Sequence, residues 1–153
     1  MDEISKLKNV LQKEKRKQLI ELIENSQSLF TQTNNTQTPP ILQLHYKFVP
    51  ILQDLLHVIN DRTKLNLEMR TAWMLKTKGE EGGWHNHSRD GADYSMIYYI
   101  KSPLFFTGTL FKHGIVKSSQ NSILLFPSHL NHMTPPHPFG IERYILSADF
   151  VVK

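Results

Sequence analysis

With 153 residues, 39% of them apolar and 21% charged, the chain has the size and balance of one globular domain that can bury roughly two-thirds of its unfolded surface. The absence of cysteine excludes disulfides, thiolate zinc sites, iron–sulfur clusters and cysteine nucleophiles, so any metal must rest on nitrogen and oxygen ligands. The net charge of +4 is scattered, and its one dense run, Lys13-Glu14-Lys15-Arg16-Lys17, reads as the solvated face of a helix rather than a nucleic-acid surface.

The N-terminus has neither the basic start nor the apolar core of a signal peptide, and no run approaches the roughly 20 apolar residues of a membrane span, so a cytoplasmic protein is expected. Ile4, Leu7, Val10 and Leu11, then Leu19, Ile20, Leu22 and Ile23, have helical spacing and predict one or two helices over residues 2–30. Thr31 to Pro40 holds no apolar residue and ends in two prolines, which reads as a loop or linker. A second helix is expected from near Pro50 to Asn60-Asp61, with Ile51, Leu52, Leu55, Leu56 and Ile59 as its apolar positions.

The pattern changes at Leu67. Leu67, Met69, Thr71, Trp73 and Leu75 alternate with their neighbours in the period of two of a half-buried strand. Short strands follow at Trp84–Ser88, Tyr94–Ile100, Gly108–Lys112, Ile115–Lys117, Ser122–Phe126, Asn131–Pro135 and Glu142–Val152, separated by turn residues. About eight strands close a double-sheet jelly roll, and no internal repeat points elsewhere. The expectation is a single domain over 1–153, mainly β, with a helical N-terminal part over 1–62 containing the loop 31–40, and a β core over 66–153.

On a strand His85 and His87 face the same way, a ready-made pair of ligands although a weak signal alone. His132 lies where a jelly-roll strand would return beside them, after Phe126-Pro127-Ser128 ends an apolar strand. Three imidazoles on one face of a metal leave its other positions open, which suits iron and also zinc. Arg143 begins the last apolar strand. An isolated strand-end arginine more often snorkels to solvent, whereas a planar fork of donors inside a barrel calls for a carboxylate. His45, His57, His113, His129 and His137 are assigned no ligand role. Trp73, Trp84 and Tyr94 read as core, and at most one of Tyr98 and Tyr99 can face the metal. The loops 79–83, 88–93 and 134–140 are expected to frame an entrance.

As an ordered set, His85-x-His87, Ile97-Tyr98-Tyr99-Ile100, Gly108-x-Leu110, Leu124-Leu125-Phe126-Pro127-Ser128-x-Leu130-x-His132 and Arg143 resemble the Fe(II)/2-oxoglutarate-dependent dioxygenases. More narrowly they are similar to the small bacterial and phage oxygenases that look like prolyl 4-hydroxylases. The resemblance covers roughly Leu67 to Val152. It implies a cupin-like double-stranded β-helix, iron held by His85 and His132, and 2-oxoglutarate chelating that iron with its distal carboxylate on Arg143 and Tyr99. It also implies O2 as co-reactant and hydroxylation of an unactivated C–H bond in a small molecule or peptide, peptidyl proline first among them. No catalytic residue beyond the metal ligands is implied.

Most of that superfamily carries Asp or Glu where this chain has His87, while the narrower group shares the His-x-His. His87 is therefore the first candidate for the third ligand, with Asp90 or Asp93 as the alternative source of an oxygen donor. Two other classes stay open: a cupin-like three-histidine metal enzyme without 2-oxoglutarate, and a non-catalytic jelly-roll binding module.

Overall fold

Alternation from Leu67 onward yields a long strand. In the computed structural model, which describes residues 3–30, 37–77, 83–102, 108–135 and 141–153, it runs from Leu67 to Thr77. The elements in order are β1 (Ser5–Leu7), α1 (Lys13–Glu24), α2 (Val49–Thr63), β2 (Leu67–Thr77), β3 (Tyr94–Lys101), β4 (Gly108–Phe111), β5 (Gly114–Lys117), β6 (Ser122–Pro127), β7 (His132–Met133) and β8 (Arg143–Val152), with three single-turn 3-10 segments between them. They form a five-stranded sheet ordered β1-β6-β3-β8-β2 and a three-stranded sheet ordered β5-β4-β7, antiparallel throughout.

The faces of the large sheet divide by the period of two. Ala72, Met74, Met96, Tyr98, Leu125, Leu146 and Ala148 pack with Leu19 and Ile23 of α1 and with Leu52, Leu55 and Ile59 of α2. Ile97, Tyr99, Leu124, Phe126 and Ile145 point the other way and meet Phe111 of the small sheet. β3, β6 and β8 are buried almost end to end because both of their faces are covered. The second face is the one that carries the site.

Pro50 sits in the first turn of α2, where its missing N–H costs nothing. The helix stops at Lys64, which adopts a left-handed φ of 60°, and the Asn60 amide then accepts from Leu67 N at 2.9 Å and donates to Leu67 O at 3.1 Å. That clamp fixes where β2 begins. The basic run on α1 is solvated as expected except at Arg16, whose fork donates to Ile100 O at 3.0 and 2.8 Å and moors the helix to β3. No helix among the described residues is long and apolar enough to cross a membrane.

Three expectations change at the level of elements. Ser5–Leu7, within the segment read as helical, is a strand that pairs with Ile123–Leu125, because spacing of three is shared by helices and by short irregular strands. Trp84–Ser88 is not a continuous strand: it contributes a single bridge, His85 to His132, and then turns at Ser88–Asp90. The end of the polar linker is pinned, since Gln37 bridges Leu75 and buried Thr38 exchanges two hydrogen bonds with Met74, both 3.0 Å; residues 31–36 lie outside the described ones. Gly108 is required as glycine, with φ 151° and the carbonyl of Val116 only 2.5 Å from where a Cβ would stand.

Asn121 joins the N-terminal segment to the sheet. It holds a left-handed φ of 61°, accepts from Leu11 N and Tyr98 Oη at 3.1 and 2.8 Å, and donates to Leu11 O at 2.7 Å. Asn121→Ala strands all three partners and places alanine at positive φ, so urea denaturation is expected to show a loss of roughly 2–4 kcal/mol. A loss under about 1 kcal/mol would mean that water replaces the amide there.

Candidate metal centre

His85 and His132 are paired through their backbones, His132 N donating to His85 O at 2.9 Å and His85 N to His132 O at 3.1 Å, and this sets their rings 4.3 Å apart. His87 follows two residues on. Its N–H donates to Ser128 O at 2.9 Å, and its ring lies 5.2 Å from that of His85 and 5.4 Å from that of His132. One ring nitrogen from each residue lies within 4.8 Å of the other two. The structure thus brings together the three histidines singled out from sequence, by a bridge and a turn rather than by a regular strand.

The hydrogen bonds assign the tautomers. Nδ1 of His85 meets the carbonyl of Gly83 at 2.8 Å, Nδ1 of His132 meets the carbonyl of Leu130 at 3.0 Å, and Nδ1 of His87 meets Asp149 Oδ2 at 2.9 Å. A backbone carbonyl and an ionised carboxylate can only accept, so each Nδ1 carries a proton, and in the neutral ring the lone pair then lies at Nε2. Three oriented Nε2 donors with acceptors behind them fit a divalent transition metal.

Burial, helped by the neighbouring His85 and His87 rings, lowers His132 from 6.5 to about 4 against the opposing pull of the Leu130 carbonyl. The ring therefore stays neutral and ready to ligate through mildly acid pH. In metal-free protein the unfolded chain takes up this proton before the folded one. Stability is accordingly unaffected above pH 6.5 and declines as pH falls toward 4, by a total on the order of 3 kcal/mol. Chemical denaturation of the metal-free protein across that window checks the slope; a flat profile would contradict it.

The rings open on a cavity of about 250 Å³ lined also by Gln37, Trp73, Phe126, Thr134, Ile145 and Ser147. Trp73 stacks on His87 at 5.4 Å with the planes 12° apart, so it is a wall of the site and not core. Trp84 departs further from the core reading: it is 53% exposed and lines a separate groove of about 800 Å³ with His113 and His129. Tyr94 does pack on the main core. Of the loops expected around the entrance, 79–82 and 136–140, with His137, fall outside the described residues.

Arg143 does not snorkel. It opens β8 opposite Thr77, is 1% exposed, and by alternation shares the face of Ile145 and Ser147, one strand repeat beyond the cavity lining. Its guanidinium lies 5.9 Å from the ring centre of Tyr99. Tyr99 faces the same space, its hydroxyl bonded to Thr109 Oγ1, and burial pushes its phenol up to about 12 so that it remains a neutral donor. Tyr98 points to the helical side.

Neither alternative carboxylate joins His85 and His132. Asp93 Oδ2 accepts from Val152 N at 2.8 Å, and Asp90 groups with His87 and Asp149 instead. Asp149 itself was hidden by an apolar-looking strand. The signal was available in the period of two, which puts Arg143, Ile145, Ser147 and Asp149 on one face of β8.

Comparison with solved structures places the fold. The chain has the fold of the 2-oxoglutarate- and Fe(II)-dependent oxygenases. A viral collagen prolyl hydroxylase from Paramecium bursaria Chlorella virus-1, solved with 2-oxoglutarate, is 16% identical with a TM-score of 0.67 over 96% of this chain and 94% of that one. A prolyl-4-hydroxylase from Pseudomonas putida is 17% identical, TM-score 0.66, over 98% and 92%. EctD from S. alaskensis, solved with bound iron, is 11% identical, TM-score 0.76, over 97% and 72%. No family model and no curated protein matches the sequence. Within the oxygenase fold the convergence of His85, His87 and His132 beside a buried arginine is the feature that calls for a function.

Proposed function

We propose that the protein is an Fe(II)- and 2-oxoglutarate-dependent oxygenase with a double-stranded β-helix core. In this reading His85, His87 and His132 hold the iron, and Arg143 with Tyr99 anchors the distal carboxylate of 2-oxoglutarate. The observation that carries it is the set of three Nε2 donors, each fixed by an acceptor at its Nδ1, beside a cavity whose sheet face also bears the buried Arg143.

When bound, iron and 2-oxoglutarate supply oxidative decarboxylation coupled to O2-dependent hydroxylation of an unactivated C–H bond. The chain's residues do the remainder. The three imidazoles would hold the ion through their Nε2 atoms beside the cavity. Trp73, Phe126 and Ile145 keep the cavity apolar and exclude water. Arg143 stays charged at any working pH and offers a planar pair of donors matched to a carboxylate, and the neutral Tyr99 hydroxyl, set by Thr109, stands beside it.

A small molecule or peptide is the substrate class, and the prolyl hydroxylases among the structural neighbours make peptidyl proline the first substrate to try. The decisive experiment adds Fe(II) and then 2-oxoglutarate to metal-free protein without oxygen. A visible charge-transfer band on the second addition is expected. Iron uptake with no band would replace this reading by a three-histidine metal enzyme that does not use 2-oxoglutarate, and folded protein that takes up no metal would replace it by a binding module.

A further inference from the structure

Asp149 is 2% exposed in the middle of β8, a place where an ionised carboxylate is costly unless its oxygens are occupied. Its register partners are Thr71 on β2 and Ser95 on β3, both polar and both directed at it. Ser95 Oγ donates to Oδ1 at 2.7 Å, Thr71 Oγ1 approaches Oδ2 at 3.5 Å, and His87 Nδ1 completes Oδ2 at 2.9 Å. Two strands have thus placed hydroxyls to hold a carboxylate behind one particular imidazole. The ring of that imidazole is immobilised on its face by Trp73 and through its backbone by Ser128.

The other two imidazoles have neutral carbonyls at Nδ1. Only His87 is backed by a charge, and His87 occupies the position where an acidic ligand is expected in most relatives of this resemblance. We infer that Asp149 is a positioning residue for the metal centre, holding His87 in its Nδ1–H tautomer and returning, through the ring, the negative charge that a ligating carboxylate would contribute directly. The inference rests on the metal site proposed above, and it adds a residue that contacts no substrate. A charge-assisted hydrogen bond at Nδ1 makes Nε2 a stronger electron-pair donor to a metal.

The test uses the full chain, with Co(II) as the spectroscopic probe. Asp149→Asn keeps the shape and removes the charge; Ser95→Ala loosens the same pocket and leaves the Asp149–His87 contact in place. Asp149→Asn is expected to weaken Co(II) binding roughly 10- to 100-fold and to shift the visible cobalt bands, with Ser95→Ala weakening it only severalfold. Nitrogen-15 NMR of the metal-free parent is expected to find His87 protonated at Nδ1, and Asp149→Asn to mix in the Nε2–H form. Equal cobalt affinity in parent and Asp149→Asn, equal losses in the two variants, or a parent His87 protonated at Nε2 would each overturn the inference. None of these readouts involves 2-oxoglutarate, so a parent that binds cobalt but gives no 2-oxoglutarate band sinks the oxygenase reading alone.

Discussion

His132→Ala is expected to remove the metal from the protein while leaving the chain folded. Apparent free energies of about 10–16 kcal/mol for four-ligand zinc sites correspond to roughly 3 kcal/mol per ligand, so affinity for Fe(II) or Co(II) should fall on the order of 10²- to 10³-fold. His132 is the ligand to test because it is the most enclosed, with Phe126 edge-on at 4.9 Å and Phe111 beside it at 6.0 Å. The pairing that positions it runs through its backbone N–H and C=O to His85, which alanine retains. Circular dichroism should therefore be unchanged, and equilibrium dialysis should show the loss. Stoichiometric metal in His132→Ala would remove this residue from the ligand set.

Arg143→Leu is expected to separate cosubstrate binding from metal binding. Leucine retains much of the apolar volume at this buried position, and circular dichroism checks that the fold survives the exchange. Losing the charge-assisted donors to a carboxylate should cost about 2–4 kcal/mol, or roughly 30- to 1,000-fold in the half-saturating concentration of 2-oxoglutarate. Iron affinity should change little, since Arg143 lies at the far end of β8 from Asp149. Anaerobic titration of the charge-transfer band reads both quantities. Unaltered 2-oxoglutarate affinity, or loss of iron, would contradict the assigned role.

The parts of the fold that were legible in the sequence are those where one physical pattern dominated. The alternation of Leu67 to Leu75 specified β2 within two residues of its observed end, and the apolar runs at Tyr94, Ser122 and Glu142 became the central strands. Arg143 stood out as a polar residue opening an apolar strand, and His85, His87 and His132 by the His-x-His spacing and their order along the chain. What was not legible depended on tertiary pairing. Ser5–Leu7 is three residues long and is a strand only because β6 lies beside it. The Trp73 wall needed knowledge of which β2 face meets His87. Asp149 needed the last strand to be divided into two faces, and its average apolarity concealed that division.

The short pairing of β1 with β6 has a consequence for solubility. β6 is Ser-Ile-Leu-Leu-Phe-Pro, apolar over Ile123–Phe126, uncharged and buried over nearly its whole length. Such a segment with an open hydrogen-bonding edge is a template for association with other chains. β1 closes that edge with Ser5-Lys6-Leu7, and its exposed Lys6 makes the new outer edge a poor one for another strand to join. Ser5–Leu7 thus cover one edge of this apolar strand, and the Asn121 clamp on Leu11, four residues further on, ties the same segment to the sheet, so it bears on the protein's colloidal behaviour as well as its folding free energy.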